Sequence, residues 1–245
     1  MSRSAAHSRR ARFAPPAPAR IREIIALLDD AYGVPEWRPR GDPVSELVLT
    51  ILSQNTADAN SGRAFARLLE AFPSWGAVAD APLAELIAAI QPGGLAPTKA
   101  PRIQAALRDI KQRTGGFDLG FLAEMPLEEA RAWLRSINGV GPKTVACVLM
   151  FALGRPAMPV DTHVFRVAMR LGLIPERTAR AAMTPERAHP MLEASVAPDD
   201  FYAFHIGLIK HGRRVCGAQR PRCPECVLLH LCPGARKYYP ELLRT

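Results

Sequence analysis

Two stretches of this 245-residue chain combine residue types and spacings that could do chemistry. The first is Leu134-Arg-Ser-Ile-Asn-Gly-Val-Gly-Pro-Lys-Thr-Val-Ala146, followed by Val160-Asp-Thr-His-Val-Phe-Arg166. Gly139 and Gly141 bracket Val140 between two helical patterns. Glycine permits the positive φ of a tight hairpin and lets a foreign backbone come close. The helix opening at Pro142 starts with orphan N–H groups, an arrangement suited to phosphate, with Thr144 in the same turn. Lys143 falls in that first turn, where a positive side chain opposes the helix dipole. The chain has 27 arginines and only five lysines, so a lysine hints that an amine is wanted. Arginine cannot deprotonate, whereas a neutral lysine amine attacks carbon. At its ordinary pKa the amine is neutral in roughly 1 of 2,500 copies at pH 7. Taken alone, Lys143 reads first as a phosphate contact and second as a nucleophile. Asp161 directly precedes a helix pattern. It reads as an N-cap carboxylate, or as a carboxylate facing Lys143 across a cleft.

The second stretch is Cys216-x6-Cys223-x2-Cys226-x5-Cys232. Four soft ligands at short spacing read as a metal centre, with disulfides the weaker alternative. The spacing does not by itself separate zinc from iron–sulfur. The fifth cysteine, Cys147, sits on the helix after the hairpin and reads as a buried apolar residue. Between the first two ligands stand Arg220 and Arg222, which a pinned loop would project outward.

These residues need elements to hold them, and the patterning supplies helices. Apolar residues recur at helical spacing over 21–31, stopped by Gly33 and Pro35. Asp42-Pro43 opens a helix through Leu52, with aspartate as N-cap and proline in the first turn. Further helices are predicted over 56–72, from Ser74, from 80–82, and over 98–112, 126–137, 142–153, 162–171, 184–195 and 199–215. No stretch of useful length alternates as a strand. The chain is therefore expected to be all-α.

Composition sets the outer limits. Hydrophobic residues make up 48% and charged residues 22%, which suits a packed globular chain. No apolar run reaches the ~18 residues of a membrane helix. The N-terminus lacks an apolar signal region, so a reducing, cytoplasmic compartment is expected. The net charge is +9 and is concentrated at the ends. Residues 1–22 carry six arginines and no acid, and residues 205–245 carry eight Lys/Arg against two glutamates. Basic ends on a mildly acidic body suggest a polyanion partner, nucleic acid first, with a solvated surface as the plainer reading. Residues 1–19, rich in Arg, Ala and Pro, read as a disordered basic tail.

The run Gly139-Val-Gly-Pro-Lys143-Thr144 followed by Val160-Asp161-Thr-His-Val-Phe-Arg resembles the helix-hairpin-helix (HhH-GPD) DNA glycosylases, most of all their endonuclease III branch. The resemblance covers roughly residues 21–235. It implies a base-excision-repair enzyme, monomeric and nucleoid-associated, acting on double-stranded DNA that holds a damaged base or abasic site. It implies that Lys143 attacks the sugar C1′ and cuts the strand by β-elimination, with Asp161 as its partner. It identifies the cysteine spacing as a [4Fe–4S] site held by Cys216, Cys223, Cys226 and Cys232, pinning Arg220 and Arg222 against DNA. By the same resemblance Asn55, with Gln54 beside it, matches a residue that fills the gap left by a flipped base, and Leu95 matches a second wedge. Gly139, Val140, Gly141 and Thr144 would form the hairpin's DNA contact. Two lobes are implied: a six-helix barrel over 39–155, and an iron–sulfur domain from 20–38 and 156–245, with Lys143 and Asp161 on different lobes.

The sequence also departs from the branch. Ile137-Asn138 stands where Leu-Pro is frequent, and Arg135 where a glutamate is common. Oxidised pyrimidines are the expected substrates, with uracil or mismatched thymine as alternatives. A monofunctional glycosylase in which Asp161 activates water, and a catalytically idle DNA-binding module, are the other readings. The adenine-specific branch is disfavoured: it lacks the lysine, and its catalytic glutamate would fall near Thr50.

Overall fold

The computed structural model describes residues 13–177 and 181–243. Among these, eleven α-helices run α1 Pro18–Tyr32, α2 Pro43–Ser53, α3 Asp58–Ala71, α4 Trp75–Asp80, α5 Leu83–Ile90, α6 Ala96–Thr114, α7 Leu127–Arg135, α8 Pro142–Cys147, α9 Thr162–Arg170, α10 Pro185–Glu193 and α11 Phe201–Arg214. The only strand-like feature among the described residues is one bridge between Arg177 and Ala182. No helix among them is long and apolar enough to cross a membrane. The chain is all-α, as its patterning predicts.

Several boundaries follow the local chemistry. Asp42 caps α2 by accepting from the Val44 and Ser45 amides, both at 2.9 Å, and Pro43 occupies the first turn. Ser74 caps α4 through the Ala77 amide at 3.1 Å. Gly115, at φ +73°, closes α6 in the left-handed conformation that favours glycine. The expected 142–153 helix changes form midway. After Cys147 it widens into a π-helical turn over Val148–Ala152, all but Ala152 buried. The expected tail over 1–19 is shorter at its C-terminal end, because α1 already begins at Pro18. Residues 1–12 of that expectation lie outside the described residues.

The chain divides into two compact units. One comprises residues 34–161 and 198–206, the other 1–33, 162–197 and 207–245. The first holds α2 to α8 around one apolar core that includes Leu47, Leu68, Leu86, Ile103, Leu134 and Leu149. Each such side chain contributes about 1.5–3 kcal/mol on burial. The unit reaches beyond the expected 39–155 at both ends, for visible reasons. Trp37 Nε1 donates to Met150 O at 2.8 Å, and Arg40 N to Phe151 O at 3.0 Å. Ala157 lies in the core, and His205 holds Pro159.

The second unit packs Ile21, Ile24 and Leu28 of α1 with Val164 and Val167 of α9 and Leu208 of α11 in its interior. Gly207 allows close approach to α1: a Cβ there would stand 3.0 Å from Leu28 Cδ1. Arginines tie the cysteine segment to this unit. Arg170 donates to Gly217 O at 2.7 Å and Ala218 O at 2.6 Å, and Arg166 to Cys216 O at 3.0 Å and Gly212 O at 2.8 Å.

Candidate active site and cysteine cluster

The hairpin lies between α7 and α8. Gly139 takes φ +82°, the reversal only glycine makes without strain, and Asn138 and Gly139 are exposed. Val140 and Thr144, expected at the hairpin's DNA contact, carry buried side chains, which leaves the backbone of the turn as the part that could face DNA. Val140 is buried in the core and Thr144 is also buried, because both turn back towards the helices that carry the hairpin. Their side chains anchor the turn and do not face outward.

Lys143, in the first turn of α8, is half-buried, as is Asp161, directly before α9. The two fall in the same compact unit, not on separate lobes, since the segment up to Asp161 packs with the hairpin unit. A buried histidine links them. His205 donates from Nδ1 to Pro159 O at 2.8 Å and lies within electrostatic reach of both Asp161 and Lys143. Burial pushes its imidazole down to about 4, with Asp161 pulling the other way. At neutral pH the ring is uncharged.

Three further residues join this neighbourhood that the motif does not contain. Glu46 on α2 is 1% exposed, and its Oε1 accepts from Arg40 at 3.0 Å and from Thr50 Oγ1 at 3.2 Å. Its Oε2 is buried without a hydrogen-bond partner. Burial raises its pKa despite the opposing charges of Arg40 and Lys143. The Arg40 guanidinium also lies over the Phe151 ring, 3.7 Å from its centroid. Cys147, one turn beyond Lys143, is buried and its thiol pushed up by desolvation, while a hydrogen bond from Lys143 favours the thiolate. The sequence signal for Glu46 was an acid on the apolar face of α2, one turn before Thr50. Its place in the first turn, where acids favour the dipole, hides that signal.

Asn55 and Leu95 are the only non-glycine residues among those described with positive φ, +52° and +53°. Both are exposed, Leu95 at 54%. Gln54 is half-buried and takes a long 3.5 Å hydrogen bond from Arg102.

In the other unit, Cys216, Cys223, Cys226 and Cys232 line one common pocket, with Arg170 and His211 in its wall. None is in a disulfide. Burial pushes the Cys226 thiol up to about 12 and raises Cys223 and Cys232, and their mutual charges add to this. Arg170 donates to Cys216 Sγ at 3.1 Å. Among the described residues no three His, Cys, Asp or Glu side chains form a group that would hold a single metal ion. The donors present are four free thiols around one shared pocket. Arg220 is exposed. Arg222 is exposed but turned back, pairing with Glu225 at 3.1 Å and donating to Arg214 O.

The family model that matches this chain, over residues 48–188, is the HhH-GPD superfamily base excision DNA repair protein. Over 198 residues the chain is 33% identical to Endonuclease III of Thermotoga maritima, a match spanning 80% of this chain and 85% of the other. Over 134 residues it is 46% identical to an Arabidopsis thaliana protein provisionally named a DNA glycosylase; that match spans 55% of this chain but only 46% of the plant protein. A solved non-covalent Endonuclease III–DNA complex superimposes with a TM-score of 0.77 at 29% identity, over 92% of this chain and all of the other. A trapped Endonuclease III–DNA covalent intermediate gives the same TM-score and identity over 91% and 99% of the two chains. The hairpin, its lysine and the aspartate after it all lie inside the matched segment, and the chain belongs to the HhH-GPD superfamily of base excision DNA repair proteins, in its endonuclease III branch.

Proposed function

We propose that this protein is a bifunctional DNA glycosylase and abasic-site lyase that removes damaged pyrimidines, oxidised ones first, from duplex DNA. The observation that carries this reading is the placement of the Lys143 amine and the Asp161 carboxylate around one buried neutral histidine, His205. Covalent base excision requires an amine nucleophile and a partnering carboxylate, and Lys143 and Asp161 both lie within electrostatic reach of His205.

The damaged nucleotide leaves the stack, and Asn55 and Leu95 fill the space. Neutral Lys143 Nζ attacks C1′. The C1′–N bond breaks and its electron pair leaves with the base, which takes up a proton. The amine loses a proton and the sugar ring opens, giving a Schiff base between Nζ and C1′. Loss of a C2′ proton then expels the 3′ phosphate. Water hydrolyses the Schiff base and frees Lys143. Asp161 stabilises positive charge on the sugar as the base departs and takes up a proton. Glu46 adds to the same field, and burial, which disfavours its ionised form, limits that contribution.

Cys216, Cys223, Cys226 and Cys232 are proposed to hold a [4Fe–4S] cluster. Four free thiols lining one pocket are the donor set that such a cluster takes, one thiolate to each iron. When bound, the cluster supplies a rigid cross-link among four points of the chain. It thereby holds the 217–222 loop, with Arg220 outward as a phosphate contact.

A panel of duplex oligonucleotides with defined lesions tests the reading, scored separately for base release and strand cleavage. Base release with strand cleavage, and a borohydride-trapped covalent complex, is the expected result. Base release without trapping would leave a monofunctional enzyme. No base release from any lesion would leave a binding module.

A further inference from the structure

The most deeply buried lysine in the first unit is not the one on the hairpin. Lys99, on α6, is 2% exposed and among the largest fully buried side chains of the protein. Its Nζ donates to Leu52 O at 2.5 Å, Thr56 Oγ1 at 2.6 Å and Gly93 O at 2.9 Å. Thr56 Oγ1 in turn donates to Gly93 O at 2.6 Å. Three donors thus meet three oxygens, all that an ammonium can offer. A planar guanidinium would not match this convergence, which gives one reason for lysine in an arginine-rich chain.

The acceptors are not scattered. Leu52 and Thr56 flank the α2–α3 turn that carries Asn55, and Gly93 lies two residues before Leu95. The Lys99 amide itself donates to Leu95 O at 2.9 Å. The ammonium therefore ties together the two turns bearing the two positive-φ non-glycine residues among those described, both with exposed side chains. Non-glycine residues persist in this region only where their surroundings over-determine them, and such residues gather at functional sites.

We propose that Lys99 is a positioning residue for DNA distortion: its buried ammonium locks the two turns so that Asn55 and Leu95 stand as a fixed pair of projections that enter the duplex where the nucleotide leaves. This inference rests on the proposed action on duplex DNA. Lys99 touches no substrate, and its effect passes through Asn55 and Leu95.

The test compares substrates that do and do not need distortion: an abasic site in a duplex, and the same abasic strand alone. Lys99→Met removes the donors and keeps the stem. Thr56→Val removes one link and keeps the charge, and serves if Lys99→Met fails to fold. In either folded variant kcat/KM on the duplex is expected to fall ~10–100-fold, the scale of a small misplacement of working groups, while single-strand cleavage is unchanged. The Lys99→Met/Leu95→Ala double variant should lose no more on duplex than the worse single variant, because both act on one event. A 2-aminopurine beside the lesion should lose its fluorescence rise on binding the variant. Equal losses on both substrates would make Lys99 a general structural residue and overturn the inference, as would an unchanged duplex rate. A wild-type protein that cleaves neither substrate would instead overturn the proposed function itself.

Discussion

The His205 imidazole donates from Nδ1 to the carbonyl oxygen of Pro159 at 2.8 Å, two residues before Asp161. The bond fixes the neutral tautomer with its proton on Nδ1. It also gives a buried ring one satisfied polar atom, next to the segment that carries Asp161.

Burial lowers the folded pKa of His205 from about 6.5 to about 4. A depressed pKa contributes stability that is present above the unfolded value and lost as pH falls towards the folded one. The wild type should therefore lose on the order of 3 kcal/mol between pH 6.5 and pH 4 from this group. The groups facing it are Asp161, Lys143 and Arg40. Urea titrations at pH 7 and pH 5 check the point: His205→Gln should show a shallower loss of stability with acid than the wild type. Equal slopes would mean that His205 does not titrate differently on folding.

Glu46 has the opposite sign. Its raised pKa means that its ionised form is disfavoured in the fold, so its contribution is best in acid and worsens as pH rises through the folded value. Arg40 offsets that cost. Arg40→Ala should destabilise by about 1–3 kcal/mol at pH 7, less than for a fully buried pair because Arg40 is half-exposed. The deficit relative to wild type should shrink at pH 4, where Glu46 is protonated. A deficit independent of pH would assign the whole effect to lost packing on Phe151.

These two residues mark the limit of what the sequence shows. Caps such as Asp42 and Ser74 are legible because a single side chain and its next three amides decide them. Lys143 and Asp161 stand out in the sequence as candidates because glycines and helix starts mark their places locally. Glu46, His205 and Lys99 are illegible because their roles depend on partners far along the chain: Lys99 meets Leu52 and Thr56, and His205 meets Pro159. The inward turn of the Val140 and Thr144 side chains is illegible for a related reason. Local spacing put them in the contacting turn, and packing against the core turned them inward. The π-helical turn after Cys147 likewise comes from tertiary packing, since its sequence reads as a plain continuation of α8.

The purified protein should contain about four irons and four sulfides per chain, with broad visible absorbance. Burial disfavours the thiolates of Cys223, Cys226 and Cys232, so loading must release protons and be weakened in acid. Cys232→Ser should lose the iron and lower the thermal midpoint together, since loss of a ligand is loss of folding free energy. Iron and zinc analysis decides the first part; one zinc and no iron would remove the cluster from the account.

The two loop arginines should separate in their effect on DNA binding. Arg220 is exposed, and Arg222 is held by Glu225 and Arg214 O. Arg220→Ala should flatten the plot of log K against log salt by about 0.9, the slope of one neutralised phosphate. Arg222→Ala should change the slope less, and Glu225→Ala should strengthen binding by freeing Arg222. A larger slope change for Arg222→Ala than for Arg220→Ala would show that the Glu225 pair opens on DNA.

Lys143→Gln and Asp161→Asn should fail at different steps. Lys143→Gln removes the only amine on the hairpin but keeps the turn, whose Val140 and Thr144 anchors are buried. Borohydride trapping and strand cleavage should vanish, while binding to an abasic duplex persists. Asp161→Asn keeps a side chain of the same shape before α9 and removes its charge. Base release should fall ~10²-fold or more, the scale for losing a positioned acid–base group. Trapping on a preformed abasic site should fall less, because no glycosidic bond remains to break. Gel assays of base release, cleavage and trapping on matched substrates separate these outcomes. Full trapping by Lys143→Gln would place the nucleophile elsewhere and end the covalent role of Lys143. An Asp161→Asn variant impaired equally on intact lesions and preformed abasic sites would move Asp161 from base departure to the Schiff-base step.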